Sequence, residues 1–100
     1  MHHPLNDGEF QFILAGARGK LVCIDFFATC CGPCKAIAPE FERLSTMYTS
    51  EVFVKVDRDR CRETCRTYGV RAYPTLMVWK DGKIIEKWEG GKVTRRYLAI

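Results

Sequence analysis

The chain has 100 residues, of which 47% are hydrophobic and 28% are charged, and it contains six cysteines. This length suits a single globular domain spanning residues 1–100, which buries roughly two-thirds of its unfolded surface and needs no structural metal or disulfide. The aromatic content of 12% excludes an intrinsically disordered chain. The formal charge of +4 is spread along the sequence and accompanies no recognised binding motif, so we expect no nucleic-acid binding.

The N-terminus and the apolar segments bear on the location of the protein. No apolar stretch approaches the ~20 residues of a membrane span, and residues 1–8 lack the apolar segment of a signal peptide. We therefore expect no membrane association and a cytoplasmic location, where cysteines stay reduced unless they carry out chemistry. His2 and His3 are expected to belong to a mobile N-terminus rather than to a metal site.

The first half of the chain predicts a helix, a strand and a second helix. Apolar residues at helical spacing indicate the first helix, namely Phe10, Ile13, Leu14 and Ala17. Residues 21–28 are almost continuously apolar, which is typical of a strand covered on both faces. Residues 33–48 show helical spacing again, and Pro39 predicts a kink in this helix.

The second half predicts three more strands and two short helices. Residues 52–57 form a strand, and residues 59–68 form a short polar helix that Gly69 ends. A turn at Asp81-Gly82 joins strands at residues 75–80 and 83–88, and residues 94–100 form a last helix. Strands that alternate with helices before a closing hairpin predict an α/β fold, in which helices flank a central mixed β-sheet on both faces.

The strongest chemical signal is Cys31-Gly32-Pro33-Cys34, at the junction between a predicted strand and a predicted helix. Two thiols at this spacing can close a short disulfide ring, and the helix N-terminus favours the thiolate of the leading cysteine. Cys31 is therefore the predicted nucleophile and Cys34 the resolving thiol. Gly32 permits a tight approach, and Pro33 suits a helix start because it needs no N–H partner.

These residues, with further landmarks in the same order, resemble the thioredoxin family. The similarity extends from about residue 9 to about residue 98 and includes Ile24-Asp25-Phe26-Phe27-Ala28, Cys31-Gly32-Pro33-Cys34-Lys35, Pro39, Val54-Lys55-Val56-Asp57, Tyr68-Gly69-Val70, Tyr73-Pro74-Thr75-Leu76 and Asp81-Gly82. The resemblance implies a thioredoxin fold and a thiol–disulfide oxidoreductase. It further implies disulfide-containing protein substrates, a thioredoxin reductase as electron donor and no required cofactor.

Two charged residues of predicted strands are candidate catalytic residues. Asp25 lies within an apolar run, where burial of a carboxylate is costly and raises its pKa. The resemblance implies that it is the family's buried aspartate, which manages the proton of the resolving thiol Cys34. Lys55 interrupts the apolar pattern of its strand and matches the family's lysine near that aspartate. A snorkelling surface side chain is the alternative for Lys55.

The resemblance also implies a substrate-binding surface. Pro74 is expected to follow a cis peptide bond opposite the cysteines, and the Tyr73 backbone is expected to pair with an extended substrate. Gly90 matches a family glycine whose lack of a side chain admits substrate, although an ordinary turn glycine is the alternative. Three residues beside the nucleophile complete this predicted surface, namely Cys30, Gly32 and Pro33.

Cys30 departs from the family pattern, which has Trp immediately before the first cysteine. A shielding ring is thus replaced by a third thiol, which could compete for Cys34 or form a mixed disulfide. A neutral small replacement is the alternative. Cys30, Cys31 and Cys34 also suggest a second function, in which two copies of the chain form a homodimer around a bridging [2Fe–2S] cluster and have little reductase activity.

The remaining cysteines are assigned from their positions. Cys61 and Cys65 lie four residues apart on a predicted helix and are regulatory candidates, with a regulatory disulfide, a dimer contact and plain exposed thiols as alternatives. A bridge within the helix would be strained, so reduced thiols are favoured. Their spacing does not match a zinc knuckle, which favours redox chemistry over a metal site. Cys23 lies in a predicted buried strand and is expected to be an inert core residue.

Overall fold

The computed structural model describes residues 1–90, and these contain three helices and four strands. In chain order the elements are α1 (Asp7–Ala15), β1 (Val22–Phe27), α2 (Gly32–Met47), β2 (Val52–Asp57), α3 (Arg62–Thr67), β3 (Thr75–Lys80) and β4 (Lys83–Glu89). The predicted order is confirmed across this part of the chain. The helix predicted at residues 94–100 lies outside the described residues.

The third helix starts three residues later than predicted because Asp57 holds the chain in a turn. Its backbone carbonyl accepts hydrogen bonds from the N–H groups of Arg60 and Cys61, at 3.2 and 2.9 Å. Its carboxylate accepts a further bond of 2.8 Å from the N–H of Asp59. Aspartate side chains commonly bond the backbone two residues on, and such a turn competes with the first helical turn.

The four strands form one mixed sheet in the order β2-β1-β3-β4. β1 is parallel to β2 and antiparallel to β3, and β3 is antiparallel to β4. The helix α2 supplies the crossover between the two parallel strands, as such a connection requires. The prediction of a mixed sheet is therefore confirmed.

Helices cover both faces of the sheet, which explains why β1 is apolar along most of its length. One core contains α1, α3 and one face of the strands, with Phe10, Leu14, Val22, Ile24, Phe26, Val54, Val56, Cys61, Cys65, Met77 and Trp79 among its residues. The second core lies under α2 and contains Cys23, Ile37, Phe41, Leu44, Phe53, Leu76 and Val78. Alternate residues of β1, β2 and β3 thus enter opposite cores. The buried position predicted for Cys23 is confirmed.

The N-terminal segment packs against the sheet, so the expectation of a mobile N-terminus is wrong. The His2 N–H donates to the Phe53 carbonyl at 2.8 Å, and the Lys55 N–H donates to the His2 carbonyl at 2.9 Å. These bonds make a parallel bridge with β2. They satisfy backbone groups on the outer edge of the sheet, which would otherwise be open to pairing with another chain.

No helix within residues 1–90 is long and apolar enough to cross a membrane.

Candidate active site

Cys31 and Cys34 lie where β1 gives way to α2, and a disulfide joins them. Their Cα atoms are 5.2 Å apart, within the usual range for such a bond. Cys31 is the N-cap of α2 with extended backbone, and its Sγ accepts a hydrogen bond of 3.2 Å from the Cys34 N–H. Pro33 lies in the first turn, where a missing N–H costs nothing. The predicted dithiol at a helix start is confirmed.

The two sulfurs of this pair differ in their access to solvent. Cys31 is partly exposed, whereas only 5% of Cys34 is exposed. Cys30, Gly32 and Pro33 are exposed around Cys31. An incoming substrate can therefore reach Cys31, while Cys34 is shielded from solvent.

The loop before β3 lies against the exposed sulfur. The Tyr73-Pro74 peptide bond is cis, as expected, and the Tyr73 carbonyl oxygen lies 3.5 Å from Cys31 Sγ. The Pro74 carbonyl accepts a hydrogen bond of 2.8 Å from the N–H of Gly90, whose φ of +69° favours glycine. The Tyr73 backbone thus lies beside the Cys31 sulfur, and Gly90 lies beside the backbone of Pro74.

Asp25 is fully buried in β1, on the side of the sheet that α2 covers. Neither of its carboxylate oxygens has a hydrogen-bond partner in the described part of the chain. Burial raises the pKa of Asp25 to about 6, while the positive charge of Lys55 opposes this shift. An acid in this state exchanges its proton near neutral pH, which is the property required of a proton-transfer group.

Lys55 lies opposite Asp25 in the register of the parallel strands β1 and β2. It is half-buried, and its Nζ lies 4.9 Å from the centroid of the Phe27 ring. Lys55 and Cys34 line one pocket of about 240 Å³ together with Phe27, Ala28, Thr29, Lys35 and Ala38. The half-buried lysine is therefore the register partner of the buried carboxylate and also lines the space beside the buried thiol.

Cys61 and Cys65 lie in the core, so the alternative of plain exposed thiols is wrong. They are 0% and 4% exposed, respectively. Burial raises the pKa of the Cys61 thiol to about 11 and raises the pKa of Cys65 as well. Both thiols are free, and both pack into the core beneath α3. Burial and a raised pKa argue against the reactivity that a regulatory thiol needs.

Nothing in the described residues supports the predicted iron–sulfur alternative at Cys30, Cys31 and Cys34. Within residues 1–90, no group of three or more His, Cys, Asp or Glu side chains is arranged to hold a metal ion. Cys30 is exposed, whereas Cys34 is buried and bonded to Cys31. The geometry favours disulfide chemistry at this site.

The sequence interpretation missed Arg58 as a neighbour of the site. Its guanidinium lies 5.5 Å from the centroid of the Tyr73 ring, close enough for a cation–π contact. Arg58 lies in residues 57–63, where arginines and acidic residues alternate in a pattern typical of a solvated surface. This pattern does not indicate which of the arginines lies near the dithiol.

Comparisons with known proteins agree with this geometry. The thioredoxin family model matches residues 2–99. Thioredoxin-1 of Schizosaccharomyces pombe is 46% identical over 95 residues, which are 95% of this chain and 90% of that protein. The X-ray structure of Fasciola hepatica thioredoxin has a TM-score of 0.90 at 34% identity, covering 100% of this chain and 96% of that one. A crystal structure of a ferredoxin:thioredoxin reductase and thioredoxin f2 complex has a TM-score of 0.88 at 31% identity. This match covers 98% of this chain and 88% of that one.

These matches extend over nearly the whole chain and include the dithiol segment. They confirm the predicted thioredoxin fold and the disulfide-reducing activity that the Cys31–Cys34 pair suggests. Redox enzymes of this type act through the two sulfurs themselves. The chain therefore belongs to the thioredoxin family and is a thiol–disulfide oxidoreductase that reduces protein disulfides.

Proposed function

We propose that Cys31 attacks the disulfide of a protein substrate and that Cys34 resolves the mixed disulfide. The observation that carries this assignment is the difference in exposure between the two sulfurs, since Cys31 is open to a substrate and Cys34 is 5% exposed. Cys31 also has the helix N-terminus and the Cys34 N–H, 3.2 Å away, to stabilise its thiolate.

The reaction proceeds in two exchange steps. The Cys31 thiolate attacks one substrate sulfur, the substrate S–S bond breaks, and the other substrate sulfur leaves as a thiolate that takes up a proton. The Cys34 thiolate then attacks the Cys31 sulfur of the mixed disulfide, and the second substrate sulfur leaves and takes up a proton. The substrate gains two electrons and two protons, and the chain loses them as the Cys31–Cys34 disulfide forms.

Asp25 is the proposed acceptor of the Cys34 proton in the second step. Its pKa of about 6 supports this role, as does the absence of any hydrogen-bond partner for its oxygens within residues 1–90, because these oxygens are open to accept a proton. Cys34 and Lys55, the register partner of Asp25, line one pocket, and we propose that water in this space relays the proton. The positive charge of Lys55 stabilises the ionised Asp25 carboxylate, so we propose that the lysine acts on the reaction through Asp25.

The substrate is proposed to lie across the surface around Cys31. The Tyr73 backbone next to the sulfur offers main-chain hydrogen bonds to an extended segment. Apart from its chain neighbours, no heavy atom of residues 1–90 lies within 4 Å of the point that a Cβ on Gly90 would occupy, which leaves room for a bound chain. Cys30, Gly32 and Pro33 supply the exposed surface on the other side of the nucleophile.

We further propose a single thioredoxin-like domain over residues 1–100, a thioredoxin reductase as electron donor, and no cofactor beyond the dithiol. The related thioredoxin f2 found in a complex with ferredoxin:thioredoxin reductase supports a reductase partner. The buried thiols of Cys61 and Cys65 and the exposed thiol of Cys30 form no disulfide, which suits a reducing compartment such as the cytoplasm.

Trapping of the mixed disulfide tests the order of attack. In a Cys30→Ser background, Cys34→Ser should accumulate a covalent adduct with a disulfide-containing peptide, seen as an added peptide mass that dithiothreitol removes. Cys31→Ser in the same background is the matched control and should form no adduct. Adducts on Cys31→Ser, or none on Cys34→Ser, would refute the assignment of Cys31 as the nucleophile.

A further inference from the structure

A groove between α3 and the loop that leads into β3 is lined by four arginines. It has a volume of about 420 Å³, and its walls include Arg58, Arg62, Arg66, Arg71 and Tyr73. None of the described residues that line it is acidic. We call this feature the arginine groove. It shares no lining residue with the pocket beside Lys55 and the buried thiol, so the two are separate features of the surface.

The positive charge of the arginine groove is only partly compensated. Arg58 and Arg62 share one oxygen of Asp59 at 3.5 and 3.7 Å. Arg66 pairs with Glu63 at 2.8 Å, and none of the ion pairs found in residues 1–90 involves Arg71.

These pairs leave the groove able to accept further carboxylates. The side chains of Arg58, Arg62 and Arg66 are 51%, 76% and 76% exposed, and exposed pairs of this kind are weak. Each guanidinium carries five N–H donors, more than one shared carboxylate oxygen can use. Residues 57–71 contain five arginines and three acidic residues, so two positive charges remain in excess.

Tyr73 connects the arginine groove to the dithiol. Its carbonyl oxygen lies 3.5 Å from Cys31 Sγ, and its ring lies 5.5 Å from the Arg58 guanidinium. A substrate segment that pairs with the Tyr73 backbone therefore has the arginines beside it. An extended chain advances about 3.3 Å per residue, so positions a few residues from the target cysteine reach the groove.

We propose that the arginine groove binds an acidic segment that flanks the target disulfide of protein substrates, and so selects which substrates are reduced. The inference rests on the proposed function and adds a substrate class to it. Arginines bind carboxylates with two parallel hydrogen bonds, and a positive cleft raises the local concentration of an anionic partner. The groove touches the substrate away from the reacting sulfurs, so it acts on binding and not on the rate of sulfur exchange.

Single-turnover reduction by the pre-reduced chain tests this selection. Two peptides with the same internal disulfide carry either Glu or Gln at the flanking positions, and each is titrated to obtain its half-saturating concentration and its limiting rate. The test variant is Arg66→Gln with Arg71→Gln. The control is Arg18→Gln with Lys20→Gln, which removes the same charge from exposed positions before β1.

The wild-type chain should half-saturate at about tenfold lower concentration with the Glu peptide than with the Gln peptide, as expected for electrostatic steering. The test variant and 0.5 M salt should each abolish this preference for the Glu peptide. The limiting rates should stay unchanged, and the control variant should keep the wild-type preference. Circular dichroism verifies the fold of each variant, and Arg62→Gln with Arg71→Gln provides a second test variant.

Three results would overturn the inference. The first is equal half-saturation by the two peptides in the wild-type chain, and the second is an equal effect of the test and control variants. The third is loss of oligonucleotide binding in the test variant with the peptide preference intact, which would make the groove a nucleic-acid contact. Failure of the wild-type chain to reduce either peptide is a different result, because it contradicts the proposed function itself.

Discussion

Asp25 and Lys55 lie opposite each other in neighbouring parallel strands, yet the Asp25 carboxylate has no hydrogen-bond partner in residues 1–90. The lysine is half-buried and oriented over the Phe27 ring, with its Nζ 4.9 Å from the centroid. Its charge opposes the effect of burial on the Asp25 pKa but does not cancel it. The fold thus keeps a carboxyl group near its titration point beneath α2, and this has consequences for stability.

Asp25→Asn should make the stability of the chain less dependent on pH. The pKa of Asp25 is about 6 when folded against 3.8 for an ordinary aspartate, so both states hold the proton only well below pH 3.8. As pH rises towards 6, the unfolded state ionises first, and the wild-type chain loses about 3 kcal/mol relative to the variant. Urea unfolding at pH 4, 5, 6 and 7 measures this.

Glu86→Gln, on the exposed part of β4, is the control for removing one carboxylate. A difference between Asp25→Asn and wild type that stays constant from pH 4 to pH 7 would contradict the raised pKa. The sign of the change also matters. If the free energy of unfolding of the wild-type chain rose with pH relative to that of Asp25→Asn, the ionised carboxylate would be stabilised in the folded state.

Lys55→Gln should raise the pKa of Asp25 above its wild-type value. The positive charge of Lys55 favours the ionised carboxylate, so its removal leaves burial unopposed. A titration of the Asp25 carboxyl carbon by NMR measures the change, with Lys20→Gln as a control at an exposed position. An unchanged or lowered pKa in Lys55→Gln would show that the lysine does not act on this carboxylate.

Much of the fold and of the dithiol site was predictable because local patterns determine them. The apolar run of β1 reflects helices on both faces, and Cys31 and Cys34 lie at a strand–helix junction that the sequence marks with Pro33. Asp25 was identifiable because a carboxylate inside an apolar run is costly unless it has a function. These signals come from residues close together in the sequence.

The errors concern features that depend on distant contacts. α3 has six residues, and its buried face consists of Thr64 and Cys65 rather than large apolar side chains, so no hydrophobic stripe marked it as core-facing. The bonds of His2 to β2 join residues about fifty positions apart. The contact of Arg58 with Tyr73 likewise depends on how the loop before β3 folds back. No periodicity in the sequence reports such pairings.

Alkylation should separate the cysteines of the reduced chain into two groups. Cys30 and Cys31 are open to solvent and should react with iodoacetamide under native conditions. Cys23, Cys34, Cys61 and Cys65 are buried, and the pKa of Cys61 is raised to about 11, so these four should react only after unfolding in urea. Peptide mass mapping measures each site. Native labelling of Cys61 or Cys65 as fast as that of Cys30 would restore their candidacy as regulatory thiols.

Hydrogen bonds between Asp7 and Thr64 connect α1 to α3, and they should contribute to the free energy of unfolding. Asp7 Oδ1 accepts hydrogen bonds from the backbone N–H and the hydroxyl of Thr64 at 2.7 and 2.6 Å, and Thr64 is 2% exposed. Asp7→Ala leaves both donors unsatisfied and should lower the free energy of unfolding by about 1–3 kcal/mol. Asp7→Asn keeps an oxygen acceptor at this position and should lose much less.

The pH dependence of the Asp7 contact has the opposite sign to that of Asp25. The Thr64 hydrogen bonds lower the pKa of Asp7, so its contribution is present above the ordinary aspartate pKa of 3.8 and is lost as pH falls through the lowered value. Urea unfolding of Asp7→Ala and wild type should therefore differ most at neutral pH and converge in acid. Equal stability of Asp7→Ala and wild type at neutral pH would show that the two helices are held together by their apolar contacts alone.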